Sequence, residues 1–508
     1  MERIRKQFIK HQLLSLSVII FVTFSLWILY DPIAAIRSIN QYSIWVREYF
    51  GQFYLYIGLA SVLLLIILAI LPVGKTRLGD QLSRPEYSLW SWSAMLFSAG
   101  MGAGLILRAV QEPVFMLQNP PVEAETSGQA LALEYTFYHW GFTPWAMYGL
   151  FALIIGYYIY VDKEPVLMSA ALKKINPHHS VLTIIDIITI FVTVIGVIAA
   201  VGLGVTQITG GLNHLLPDAD IRLFGTILIL LLVSFISLIS ASYGVNKGIN
   251  VISKFNILVA VFLLSFVFFQ GEIVLMIRRF FETLYLYLTD FIPLSLAYGS
   301  FDPGKEFLSS WTYFYWAFWL SWAPFTGIFI ARISKGRTIR EFVLAILLIP
   351  SLGTFFWFTA FGESAFIRIS DWQGYNGEFA NVFTSIFLFF EAYPMQFLIN
   401  SLVVMVLFTF LITSMDSAIY VLSMFTDKGK RQPSKKHRYI WGVFLPLIGC
   451  SLLLLGNSIV QIDLLGAMTK LIIITSLPFA FLTVLISFVF IYNLFKKNQT
   501  EKASPPKS

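Results

Sequence analysis

WTYFYWAFWLSWAPFTGIFIARISKGRTIR, residues 311 to 340, is apolar and aromatic over its first two-thirds and basic at its end. Tryptophan stands at 311, 316, 319 and 322, and tyrosine or phenylalanine at 313, 314, 315, 318 and 325. Pro324 and Gly327 are predicted to interrupt the helix, and Arg332, Lys335, Arg337 and Arg340 close it. Such a segment reads as a transmembrane helix whose last turn enters the cytoplasm. Trp316, Trp319 and Trp322 recur every third residue and so lie close to one helical face. That stripe is either bundle packing, the usual fate of aromatic stripes, or the lining of a cation site, because indole faces attract quaternary ammonium.

The rest of the chain has the same character. Of its 508 residues 57% are hydrophobic and only 12% charged, against roughly a quarter charged in a soluble protein. This composition is that of an all-α polytopic membrane protein. The single Cys450 lies in an apolar run, which leaves neither a disulfide framework nor a cysteine metal centre. The six histidines are scattered and show no metal-ligand spacing. A membrane span needs about 20 apolar residues. Twelve stretches meet this, at 13–31, 53–73, 89–115, 139–160, 183–210, 223–242, 254–271, 311–331, 342–362, 395–424, 439–456 and 468–494. Lys and Arg gather in alternate loops: Arg3 to Lys10, Lys75 to Arg84, Lys163 to Lys174, Lys247 to Lys254, Arg332 to Arg340, Lys428 to Arg438 and the tail. The intervening loops are poor in both. The net charge of +7 is therefore an orientation signal with both termini in the cytoplasm, not a nucleic-acid footprint.

Span three carries Gly100, Gly102 and Gly104 around Met101. Glycine in a helix costs up to about 1 kcal/mol relative to alanine, so three in five residues need a reason. Close helix packing is one; an unwound segment whose backbone faces a ligand is the other. With span eight also predicted to break, two interrupted helices stand five spans apart, the mark of an inverted-repeat transporter. The chain then divides into an N-terminal segment with two spans (1–88), a first repeat (89–271), a connector (272–310), a second repeat (311–494) and a short cytoplasmic tail (495–508). The connector is amphipathic and reads either as an interfacial helix or as a packed external loop.

Polar residues inside spans are the remaining candidates. Thr413, Ser414 and Asp416 sit in apolar span ten. The hydroxyls either bond back to carbonyls one turn earlier or serve as oxygen ligands for Na+. Asp416 is an intramembrane acid, functional or a helix-end anchor. Arg108 is the anomaly, a charge inside span three with Glu112 at i+4. An internal Arg–Glu pair is the plain expectation; a hold on a substrate carboxylate and replacement of a coupling cation are the alternatives.

Four motifs together resemble the betaine/choline/carnitine transporter (BCCT) family. They are Ala331 to Glu341 (ARISKGRTIRE) behind the Trp-rich helix, Gly100 to Leu105 (GMGAGL), His139 to Tyr148 (HWGFTPWAMY), and Thr413-Ser414. The resemblance covers nearly the whole membrane domain. It implies a LeuT-like fold of five plus five helices preceded by two extra ones, and a homotrimer. It further implies a cell-membrane transporter with no catalytic activity, no cofactor and Na+ as coupling ion. Trp140, Trp145, Tyr148 and Trp319 are then expected to form an aromatic box around a trimethylammonium group, with Trp322 one turn further on and Trp316 nearby. Backbone at Gly100, Gly102 and Gly104 would take the carboxylate. Some choline-transporting relatives have an acid at the position of Gly104, so glycine there favours a zwitterion. Phe318 stands where the family often has a second Trp, and phenylalanine is the weaker cation host. By the same resemblance Na+ is bound by the Thr413 and Ser414 side chains with carbonyls of Ser98, Met101 and Phe410. The resulting expectation is Na+-coupled uptake of a betaine-like solute. A sodium-independent exchanger of such solutes is the nearest rival, and an embedded enzyme or sensor a distant one, unsupported by any paired carboxylates or metal set.

Overall fold

The computed structural model describes residues 11–80, 82–100, 102–123, 126–175, 177–243, 246–457 and 464–503. Among them there is no named strand; one isolated bridge joins Arg77 and Thr338. The helices used below are α1 (Gln12–Tyr30), α2 (Pro32–Ile70), α3 (Leu89–Gly100), α4 (Ala103–Arg108), α5 (Gln111–Gln118), α6 (Gly128–Trp140) and α7 (Phe142–Tyr160). They continue as α8 (His179–Leu215), α9 (Leu223–Tyr243), α10 (Asn246–Gln270), α11 (Ile273–Thr289), α12 (Phe291–Leu296) and α13 (Tyr313–Ile333). The last are α14 (Ile339–Asp371), α15 (Ser385–Phe390), α16 (Gln396–Thr426), α17 (Lys435–Asn457) and α18 (Leu464–Ala503).

Eleven helical stretches among the described residues are long and apolar enough to cross a membrane. The stretch expected as span three is not one of them, because it is divided into α3, α4 and α5. Gly102 is extended (φ −135°, ψ 177°), so the helical path is lost just where the glycines cluster. Span four starts earlier than hydropathy suggests. Residues placed in an external loop form the buried helix α6, opened by Ser127, whose hydroxyl accepts from Ala130 N at 3.2 Å. The chain passes from α6 to α7 at Gly141, where a Cβ would lie 2.5 Å from the Phe355 ring.

The expected break at Pro324 and Gly327 does not occur: α13 is continuous through both. Proline removes one backbone donor, which neighbouring helices can compensate in a bundle. Gly327 instead lets α7 approach, since a Cβ there would stand 2.5 Å from Phe151 and 3.2 Å from Ala152 N. Gly196 of α8 does the same against Ser321, at 2.5 Å. The Trp-rich helix is thus clasped from two sides. In the most apolar window, 94% of residues are buried for Gly128–Tyr160 and 78% for Gly304–Ile333, against 22% for α1 and 28% for Leu223–Ser242. Helices α6, α7 and α13 form the centre, with α1 and α9 at the periphery.

The connector opens with a helix, α11, that is packed along one side, and continues through α12 and shorter turns. Arg279 donates to Glu363 (3.0 Å), Glu282 (2.9 Å) and Ser127 Oγ (2.7 Å), while Val274, Phe281, Tyr285 and Leu288 are exposed. At the other end α18 continues as helix to Ala503, beyond the expected end of span twelve.

The basic loop after α13 is tied down. Leu78 N donates to Arg337 O (2.9 Å), Gly336 N to Leu78 O (2.8 Å) and Ile339 N to Thr76 O (2.9 Å). Arg340 Nε reaches Ala69 O at 2.6 Å, satisfying the open carbonyl end of α2. Arg337 lies over the Trp92 ring at 4.5 Å and donates to Tyr87 O at 2.8 Å. Thr338 and Glu341 then form a capping box that starts α14.

Candidate functional site

The break between α3 and α4 faces α8 and α16 on one side and the α6–α7 and α13 aromatics on the other. Between them lies a cavity that is open on one side. Trp140, Trp145, Tyr148, Trp319, Trp322 and Phe318 all line it, with Gly102 and Gly104.

The rings form a connected set. Trp140 and Trp319 are 5.0 Å apart at 73°, Tyr148 and Trp319 5.9 Å at 89°, and Trp145 and Tyr148 5.7 Å at 86°. Phe318 stacks on Trp322 at 5.8 Å. A Cβ on Gly104 would touch the Trp140 ring at 3.5 Å, and one on Gly102 would meet nothing within 4 Å. The glycines therefore leave the backbone bare at the mouth of the ring cluster. Gly100 closes α3; Met101 lies outside the described residues. Trp316 is elsewhere. It is fully buried, packed edge-on against Tyr138 at 4.9 Å and beside Gly58 of α2.

Three of the four cavity indoles are fixed by their N–H groups. Trp319 Nε1 donates to His139 O at 3.0 Å, and Trp322 Nε1 to Gly196 O at 3.1 Å. Trp140 Nε1 donates to Glu112 Oε2 at 2.9 Å. The same carboxylate receives the Tyr315 hydroxyl and, at 2.9 Å, His139 Nδ1. Thr354 donates to Trp140 O at 3.1 Å, where α6 ends. Glu112 and His139 are fully buried, so the pair holds Trp140 and the turn beneath Trp319 in a dry setting where hydrogen bonds are strong.

The expected Arg108–Glu112 pair is not formed. Arg108 donates to Gln111 Oε1 at 2.6 Å and lies over the Trp311 ring at 5.0 Å. Two causes are visible. α4 ends at Arg108 and α5 begins at Gln111, so the two residues do not share one helix face. Glu112 is also already occupied by three donors from α6 and α13. Arg108 does not line the cavity.

On α16, Ser414 lines the cavity, while the Thr413 hydroxyl donates to Phe410 O at 2.9 Å. This is the back-bonded arrangement, and it also brings two of the expected Na+ ligands side by side. Ser98 lies in the last turn of α3. Asp416 is buried on α16 but is not part of the cavity wall.

Sequence reading gave no role to Glu112 as the clamp of Trp140, to His139 or to Tyr315, and missed Thr354 and Gln207 altogether. Some signals were present. His139 adjoins Trp140, and Tyr315 stands one turn before Trp319. Thr354 and Gln207 carry no such local mark.

Match to the betaine/carnitine/choline family transporters, BCCT, runs over residues 12–502. The chain belongs to this family. It is 36% identical to the glycine betaine transporter OpuD of Bacillus subtilis (strain 168), over 94% of this chain and 92% of that protein. It is 34% identical to the ectoine/hydroxyectoine transporter of Virgibacillus pantothenticus, over 86% of this chain and 87% of the relative. The high-affinity choline transport protein of Escherichia coli (strain K12) is also 34% identical, over 92% of this chain and 68% of its own length. This BCCT chain is accordingly a multi-pass membrane transporter and not an enzyme.

Proposed function

We propose that this BCCT member is a secondary active transporter that carries a betaine-like zwitterion into the cell together with Na+. The observation that supports the cargo is the wall of Trp140, Trp145, Tyr148 and Trp319 around one cavity, with the bare backbone of Gly102 and Gly104 opposite. Each desolvated cation–π contact is worth roughly 2 kcal/mol, so a trimethylammonium group touching several rings is well held without an acid. The carboxylate goes to the broken segment. Na+ takes Thr413 and Ser414 with the carbonyls of Phe410, Ser98 and Met101, and its binding stabilises the outward-open state. The charge pattern of the loops supports cytoplasmic termini in the cell membrane, and the family resemblance supports a homotrimer.

Uptake of labelled glycine betaine into liposomes tests the reading, with an inward Na+ gradient imposed or omitted. Gradient-dependent accumulation is the expected result. Equal counterflow without Na+ would instead favour the exchanger.

A further inference from the structure

We propose that Gln207 is the side chain that reads the anionic end of the solute. Gln207 lies on α8, is fully buried and lines the cavity alongside Gly102 and Ala103 of the broken segment. Neither its Oε1 nor its Nε2 has a hydrogen-bond partner among the described residues. An orphaned buried amide is costly, and native chains rarely keep one without a use. Three of the four cavity indoles and the Thr354 hydroxyl are already committed to protein acceptors. Trp140, Trp319 and Trp322 give their N–H groups to Glu112, His139 O and Gly196 O, and Thr354 gives its hydroxyl to Trp140 O.

The chemistry of the wall selects the ligand group. Among the described residues, no Lys, Arg or His lines the cavity. A trimethylammonium group has no N–H to offer Oε1 and is served by the rings. A carboxylate needs donors, and a neutral amide supplies one without the charge that would hold the solute too tightly to release. Because α4 packs directly on α8, the amide and the exposed backbone converge on the same end of the solute. This inference rests on the betaine-like cargo proposed above.

The test compares glycine betaine with choline, which has the same head group and an alcohol in place of the carboxylate. Affinities are measured by calorimetry on purified full-length protein. Gln207→Leu is expected to weaken betaine roughly ten- to hundredfold, and choline by no more than about threefold. Its Tm should be equal to or above that of the unsubstituted protein, since an orphaned amide is replaced by an apolar group of similar size. Gln207→Glu should weaken betaine further and strengthen choline. An unchanged betaine-to-choline ratio in both variants overturns the role of Gln207 while leaving the cargo reading intact. Failure of the unsubstituted protein to bind either solute overturns the cargo reading, and this inference with it.

Discussion

Trp319 touches Trp140, Tyr148 and Tyr315 at centroid distances of 5.0, 5.9 and 5.9 Å, so it is the ring on which the cluster turns. Trp319→Ala is expected to raise the Kd for glycine betaine by about thirtyfold, the equivalent of about 2 kcal/mol. Trp316→Phe is the control. It should lower Tm and leave the Kd near its original value, because Trp316 packs on Tyr138 outside the cavity. Glu112 acts at one remove as a positioning residue. Glu112→Leu leaves the donors of Trp140, His139 and Tyr315 without their acceptor, at about 1–3 kcal/mol for each group orphaned. Both Tm and solute affinity should fall, with Glu112→Gln intermediate because an amide oxygen still accepts. Gly104→Asp would set a carboxylate beside Trp140, where a Cβ sits in ordinary contact at 3.5 Å. Competition binding should then shift from betaine towards choline.

At the scale of elements, the basic loop after α13 does two jobs with one set of residues. Its charges read as topology in the sequence, yet Arg337 and Arg340 are spent on a ring and on helix-end carbonyls. Gly336 has φ +80°, and a Cβ there would lie 2.3 Å from Arg84 O. Gly336→Ala and Arg340→Ala should each lower Tm, the latter by about 1–3 kcal/mol of stability, with solute Kd little changed in detergent. A large loss of affinity in either variant would show that the loop is coupled to the cavity. The two proposed interruptions were not equivalent elements. The glycine run in span three does break the helix, because glycine both costs helix stability and frees the backbone. Pro324 does not, because α7 and α8 grip the helix on either side of it.

For the whole molecule, ligand linkage gives the sharpest check on coupling. A ligand that binds only the folded state at a hundred times its Kd adds about 2.7 kcal/mol. Glycine betaine and Na+ together should therefore raise Tm by more than the sum of their separate shifts if the two sites are coupled. Thr413→Ala should remove the Na+ contribution and leave the betaine contribution. Additive shifts would argue for uptake independent of sodium.

What the sequence determined alone was the class and the parts. Hydropathy marked twelve stretches, and eleven of them are helical stretches long and apolar enough to span among the described residues, since burying about 20 apolar residues in lipid leaves the chain few alternatives. It also marked the ring-bearing helices and the glycine run. Only the tertiary structure decided which rings share a cavity, because Trp316 and Trp319 are equally tryptophan on one helix and differ only in what packs against them. It likewise decided that Glu112 holds Trp140 and not Arg108. Helix register predicts neighbours along one continuous helix, and the partners of Glu112 come from α6 and α13, across a break and from more than twenty residues away in sequence.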